Sequence, residues 1–215
     1  RNNLTCTRRR FGAALLPALA LAAAAPPVPG PGSFALAPVR PRGLRLGHSI
    51  PVDSSYEQLR GHARLGVEYA STGVGRVEEA SREKLMAIRQ RFESAGLRIY
   101  NLRVEELHNN PDIVLGLPDR DRRIEAFNNH LRNCAAAGIH YITIAHVCNI
   151  TMAPYYQTGT SYTRGDIPTR EFDAEAAKKL PLSHGRVYEA GHLWETFAYA
   201  MKRILPVAEE AGVRI

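Results

Sequence analysis

The sequence predicts an α/β fold in which helices alternate with parallel strands, and three observations predict it. A helix stop runs straight into a strand at four places: Leu65-Gly66-Val67-Glu68-Tyr69-Ala70, Ala95-Gly96-Leu97-Arg98-Ile99-Tyr100, Ala137-Gly138-Ile139-His140-Tyr141-Ile142 and Ala211-Gly212-Val213-Arg214-Ile215. In each, Gly stands where a helix turns out through a left-handed conformation, and an apolar, β-branched or aromatic run follows. The stretches between carry apolar residues at helical spacing. Strict repetition of this unit, with no Gly-rich phosphate loop, favours strands that curl into a (β/α)8 TIM barrel over an open doubly wound sheet. Residues 43–215 then hold the first half of such a barrel, truncated at a fifth strand that begins at Val213.

Taken in order, Gly43 to His48 reads as the first strand. Ser54-Ser55-Tyr56-Glu57 has capping-box spacing and opens a helix that runs to Leu65. Val67 to Ser71 is the second strand, followed by a loop with Gly73 and Gly75. From Ser81 to Ala95, Leu85, Ile88, Phe92 and Ala95 fall on one helix face. The third strand, Leu97 to Val104, leads into a polar loop from Glu105 to Pro118 that holds His108, Asn109, Asn110 and Asp112. Ile124, Phe127, Leu131 and Cys134 repeat the helical spacing, Gly138 ends that helix, and Ile139 to Val147 is the fourth strand. The stretch from Cys148 to Ala190 is far longer than a usual βα connection. Its Tyr155, Tyr156, Tyr162, Phe172 and Tyr188 predict a folded lid over the C-terminal edge of the sheet. A helix from Leu193 to Ala211 should turn Leu193, Phe197, Met201 and Ile204 inward, with a kink at Pro206.

The net charge of +7 is unevenly placed. Six of the 28 Lys and Arg lie in residues 1–42, where no acidic residue occurs, which leaves 22 basic against 21 acidic residues beyond them. The basicity belongs to the leader, so a nucleic-acid partner loses its main support. Arg8-Arg9-Arg10-Phe11 and the modestly apolar run to Ala25 read as a twin-arginine export signal over 1–25, and the Pro/Gly/Ala-rich stretch 26–42 reads as a linker. The protein is therefore expected outside the cytoplasm, periplasmic or extracellular, with no membrane partner after export. The chain begins with Arg1 and ends three residues into a predicted strand, so both ends read as cut. Cys6, Cys134 and Cys148 make no disulfide framework, and Cys134 reads as a small core residue.

In either α/β architecture the site forms at the C-terminal ends of the strands, which singles out His48, Asn101, His146 and Cys148. For His146 a functional role and a hydrogen-bonded structural role both stand. Cys148 reads as packing, and Gly47 beside His48 could mark a bulge. Arg164 in the long loop suits bidentate capture of a carboxylate, or equally a solvated pair with Asp166. Arg170, His184 and Arg186 share that ambiguity.

Ile204-Leu205-Pro206-Val207-Ala208-Glu209-Glu210-Ala211-Gly212-Val213-Arg214-Ile215 resembles the helix and strand start of mannonate dehydratases, members of the xylose-isomerase-like sugar-enzyme barrels. Ile113 to Asp121, His130-Leu131-Arg132-Asn133 with Ala137-Gly138-Ile139, and Thr163-Arg164 are similar to the same group, and the resemblance covers about residues 43–215. It implies a metal-dependent sugar-acid lyase, using Mn2+ or Fe2+, that converts D-mannonate to 2-keto-3-deoxy-D-gluconate and water. The proton α to a carboxylate is a poor acid and the leaving hydroxide needs a proton, so a Lewis acid with a general base and acid answers both demands. In the family the metal ligands come from a strand opening into His-Pro-Asp-Asp and from later strands. The resemblance thus places no metal ligand in this chain and expects them beyond Ile215, with the 215-residue piece inactive by itself. On this reading Arg164 binds the substrate carboxylate, His146 lies near the reacting carbon, and His48 and Asn101 contact substrate. The expected partners are a small sugar acid and, through unpaired sheet edges, further copies of the chain. Two alternatives remain: a sugar isomerase or epimerase on the same barrel, and a non-catalytic exported sugar-binding protein on an open sheet.

Overall fold

Serines open the first two helices. In the computed structural model, which describes residues 43–147 and 157–215, Ser55 accepts from the Gln58 amide while the Gln58 side chain accepts from the Ser55 amide. This capping box lies one residue beyond the expected one, and it starts helix α1, Tyr56–Arg64. Ser81 caps α2, Arg82–Ser94, in the same way through the Lys84 amide. Both helices end at a Gly with positive φ, 88° at Gly66 and 93° at Gly96. Gly138 and Gly212 share this conformation, so all four predicted stops are left-handed turns. The export signal expected over 1–25, the linker over 26–42 and Cys148 lie outside the described residues.

Strands β1, Gly47–Ser49, β2, Tyr69–Val74, and β3, Arg98–Val104, form a parallel sheet in sequential order. The first strand starts later than expected, because Leu44 is fully exposed and, before Gly47, the backbone reaches the β2 side through the Leu46 carbonyl, which accepts from the Glu68 and Tyr69 amides. The second strand extends past Ser71 to Val74, carrying Gly73 into the ladder opposite Arg103. A register shift sets Ala70 against Ile99 but Ser71 against Asn101, so Tyr100 is an extra residue in β3.

Helices cover one face of the sheet. Ala70, Ile99, Leu102 and Val104 from the strands meet Leu59, Leu85, Phe92, Ile124, Phe127 and Leu131 from the helices in one core. The predicted stripe of α5, Arg120–Ala136, is buried throughout, and Ile88 of α2 is partly buried. Burial pushes the Cys134 thiol up to about 12, as suits an inert core residue.

The stretch 105–118, expected as a polar loop, is mostly helical. It forms α3, Glu105–His108, and α4, Pro111–Leu115. Asn110 caps α4 through the Asp112 and Ile113 amides, Pro111 occupies its first turn, and Ile113, Val114 and Leu115 are buried.

The expected fourth strand, Ile139 to Val147, runs beside β3 without a regular ladder. Side chains take the places of its ladder partners. Asn101 Oδ1 accepts from the Thr143 amide, His108 Nδ1 donates to the Thr143 carbonyl, and Asn109 Oδ1 accepts from the Val147 amide. On β3 itself the Leu102 carbonyl accepts from His130 Nε2 of α5. At the other end of the segment, Tyr141 pairs with Arg214 in a parallel bridge, which places the start of the expected fifth strand next in order.

Strands β4, Gly159–Thr163, and β5, Ile167–Glu171, form an antiparallel hairpin followed by α6, Ala174–Ala177. The expected lid is thus folded, but as an arm whose side chains are exposed along both strands. The last helix, α7, Ala190–Ala211, buries Thr196, Ala200, Ile204 and Ala208. Of the expected inward set only Ile204 is fully buried, because small residues at four-residue spacing bring α7 close to α4 and α5 and leave Leu193, Phe197 and Met201 at the rim. Among the described residues no helix is long and apolar enough to cross a membrane.

Candidate active site

The face of the sheet away from the helices changes chemistry along the strands. Near their N-terminal ends it is aromatic: the Tyr69 and Tyr100 rings meet edge to face at 6.4 Å, and Tyr100 stacks on Tyr141 at 5.9 Å. Gly47 borders this row, where a Cβ would make ordinary contact with the Tyr100 ring at 3.6 Å. One step toward the C-terminal ends the face turns polar. Asn101, 3% exposed, donates from Nδ2 to Ser71 Oγ at 3.0 Å and to Thr143 Oγ1 at 3.2 Å, and accepts from the Thr143 amide. One amide thereby ties β2, β3 and the fourth segment together, using both donors and one lone pair of its oxygen.

Arg103 stands over this row. Its Nη1 donates to Ser71 Oγ at 3.3 Å, and Nε and Nη2 both donate to Glu105 Oε1, at 3.2 and 3.1 Å. The Glu105 carboxylate lies across Gly73, where a Cβ would come within 2.7 Å of Oε1. A hydroxyl, a buried amide, a guanidinium and a carboxylate therefore meet at the C-terminal edge of the sheet, where a polyhydroxylated acid could be bound by hydrogen bonds and charge.

The sequence-predicted residues divide between the two faces. Asn101 lies at the centre of the polar row. His48 pairs in register with the buried Ala70 and turns its ring toward His62 of α1, 5.1 Å away, on the helix-covered side. His146 also turns toward the helices. Its Nε2 lies 3.1 Å from Thr196 Oγ1, and its ring meets Phe197 edge to face at 5.2 Å. The Thr196 hydroxyl donates to the Val114 carbonyl at 2.7 Å, so its oxygen accepts from His146 Nε2–H, which leaves the ring lone pair on Nδ1. Burial holds the His146 pKa below the usual imidazole range, against an opposing contribution from the Leu193 carbonyl. Arg164 sits at the exposed tip of the β4–β5 hairpin, next to Gly165 and Asp166, both at positive φ.

A hollow of about 350 Å³ beside His146 is lined by Ala190, Leu193, Trp194 and Phe197. Its walls are almost wholly apolar, so it suits a sugar acid less well than the polar row. Among the described residues no group of three or more His, Cys, Asp or Glu side chains could hold a metal ion. Ser71, Arg103, Glu105 and Thr143 escaped the sequence reading. Alternation along β3 could have pointed to Arg103, but the extra residue at Tyr100 obscures which side chains share a face.

The family model for D-mannonate dehydratase (UxuA) matches residues 57–164, half of the chain, and spans Ser71, Asn101, Arg103, Glu105 and Thr143. The chain belongs to the mannonate dehydratase family. A mannonate dehydratase of Streptococcus agalactiae serotype Ia is 27% identical over 157 residues, covering 63% of this chain and 44% of the relative. One from Lactococcus lactis subsp. lactis is 29% identical over 163 residues, with 62% and 45% covered. The chain therefore spans less than half the length of these curated relatives. The crystal structure of mannonate dehydratase from Streptococcus suis serotype 2 shares the fold, with a TM-score of 0.59 at 23% identity, over 80% of this chain and 52% of that one.

Proposed function

We propose that residues 43–215 supply the first strands of a (β/α)8 barrel that dehydrates D-mannonate to 2-keto-3-deoxy-D-gluconate. The match over residues 57–164 carries this reading. The sequential parallel order of β1, β2 and β3, continued by the segment from Ile139 and by Arg214, supports the barrel. The open, polar-edged face of the sheet is then the barrel interior, and its C-terminal edge is where substrate binds.

The reaction removes the proton α to the carboxylate and expels a hydroxyl from the next carbon, so it needs a base, an acid and firm orientation of both carbons. The work proposed for the described residues is orientation. Asn101 holds Ser71 and Thr143 in place beneath the sugar hydroxyls. Arg164 on its hairpin arm is proposed as an outer contact to the substrate hydroxyls, whereas His48, turned to the helix-covered side, is given no contact. His146 turns to the helix-covered side, with Nε2 held by Thr196, so no contact with the reacting carbon is proposed for it. Mn2+ or Fe2+ is proposed as cofactor from the family resemblance. The described residues do not form a site for it, so no step is assigned to it here. Residues 1–25 are proposed to export the protein as a folded unit, on the strength of the Arg8-Arg9-Arg10 cluster and the apolar run behind it.

The test is an assay of the full-length protein, with the complete barrel, on D-mannonate and Mn2+, following loss of water and appearance of the 2-keto-3-deoxy acid. Product from D-mannonate, with no conversion of a neutral ketose, supports the lyase. Turnover of the neutral ketose at an equal or higher rate, without dehydration, would instead assign the barrel to an isomerase or epimerase.

A further inference from the structure

We infer that Arg103, rather than the exposed Arg164, is the cation that takes the carboxylate of the sugar acid, and that Glu105, Ser71 and Gly73 exist in this arrangement to position it. The inference rests on the sugar-acid reading above and names the residue that decides between acidic and neutral sugars.

Three observations carry it. First, Arg103 stands at the C-terminal end of β3 on the open face, directly above the buried row of Ser71 and Asn101. Second, its guanidinium is fixed on two sides. Glu105 accepts from Nε and Nη2, and the Ser71 hydroxyl, itself held by Asn101, accepts from Nη1. A guanidinium has five N–H groups in a rigid fork, and these bonds use three. One N–H on each of Nη1 and Nη2 remains beyond them, and such a pair is the edge that accepts a carboxylate bidentately. Third, Glu105 Oε1 lies over Gly73, where a Cβ would come within 2.7 Å of it and 3.2 Å of the Arg103 carbonyl oxygen, so an added methyl would push the carboxylate aside.

The arrangement also accounts for selectivity. Glu105 lowers the net charge of the site, so a neutral sugar meets no unpaired charge in the empty state. An aldonate brings the second anion that the remaining fork accepts. Arg164, at the tip of an exposed hairpin, has no comparable fixed setting among the described residues.

The test compares equilibrium binding of D-mannonate with that of D-mannitol, the neutral alditol of the same hydroxyl pattern, on the full-length protein by calorimetric titration. Wild-type protein should prefer the acid by at least about tenfold. Arg103→Met should abolish that preference and leave D-mannitol binding within about twofold, and Arg103→Lys should restore only part of it, because an ammonium lacks the fork. Arg164→Met, which removes an outer contact to hydroxyls that both compounds carry, should weaken both alike and leave their ratio unchanged. Should Arg103→Met not fold, as judged by far-UV circular dichroism, Gly73→Ala supplies the same test by displacing Glu105, with an expected fall in preference of about fivefold or more. Wild-type protein that binds neither compound, or both equally, overturns the sugar-acid reading together with this inference. Wild-type preference for the acid that survives in Arg103→Met, or in Gly73→Ala where that variant replaces it, overturns the assignment to Arg103 and leaves the sugar-acid reading intact.

Discussion

Asn101 and Thr143 are joined by two hydrogen bonds, from the Thr143 amide to Asn101 Oδ1 and from Asn101 Nδ2 to Thr143 Oγ1, both 3.2 Å long. This side chain replaces a strand ladder between β3 and the segment that follows α5, and it does so 3% exposed. Asn101→Ala should therefore strand the Thr143 amide and leave Ser71 Oγ with Arg103 alone, at a cost of about 2 kcal/mol in urea unfolding. A cost below about 0.5 kcal/mol would mean that solvent already serves these groups.

Two imidazoles make stability depend on pH. His130, 2% exposed, has its pKa lowered by burial, against the raising effect of its bond to the Leu102 carbonyl, and burial likewise lowers that of His146. The unfolded chain then binds more protons than the folded one below the ordinary histidine value of 6.5. The stabilisation is complete above that value and is lost as pH falls through the lower folded-state pKa values. Thermal unfolding should be steady near about pH 7.5 and fall toward about pH 5, before most carboxylates titrate. His130→Gln, which keeps an N–H for Leu102 and does not titrate, should shallow that fall, and an unchanged profile would remove His130 from the account.

Gly138 closes α5 at φ 73°, and the guanidinium of Arg89 occupies the place a Cβ would take while its Nη1 donates to the Ala137 carbonyl at 2.9 Å. Gly138→Ala would both strain the turn and displace this cap. The expected loss is about 1–2 kcal/mol, read from a denaturant midpoint. Gly191→Ala, which meets nothing within 4 Å near the start of α7, is the control and should be neutral or slightly stabilising.

The stops at Gly66, Gly96, Gly138 and Gly212 were the most legible part of the fold, because a left-handed stop followed by an apolar, β-branched or aromatic run is a local signal. The stripe Ile124, Phe127, Leu131 and Cys134 was legible for the same reason. Helix α4 was missed because five residues cannot show a 3.6 period, although Asn110-Pro111 before it and Gly116 after it are capping residues. The buried face of α7 was misread because Thr196, Ala200 and Ala208 are small, and a search for large apolar residues passes over them. The fourth strand looked regular in sequence, yet Asn101, His108 and Asn109 take its backbone partners, which no local pattern reveals. The site was harder still. Ser71, Arg103 and Thr143 come from three separate segments, and the extra residue at Tyr100 shifts the alternation that would have put them on one face.

The most direct test is where a sugar acid binds. Backbone amide shifts of isotope-labelled protein titrated with D-mannonate report this residue by residue. The account predicts perturbations centred on Ser71, Gly73, Asn101, Arg103, Glu105 and Thr143, along the C-terminal edge of the open sheet face. Perturbations centred instead on Leu193, Trp194 and Phe197 around the apolar hollow, with the strand edge silent, would contradict it.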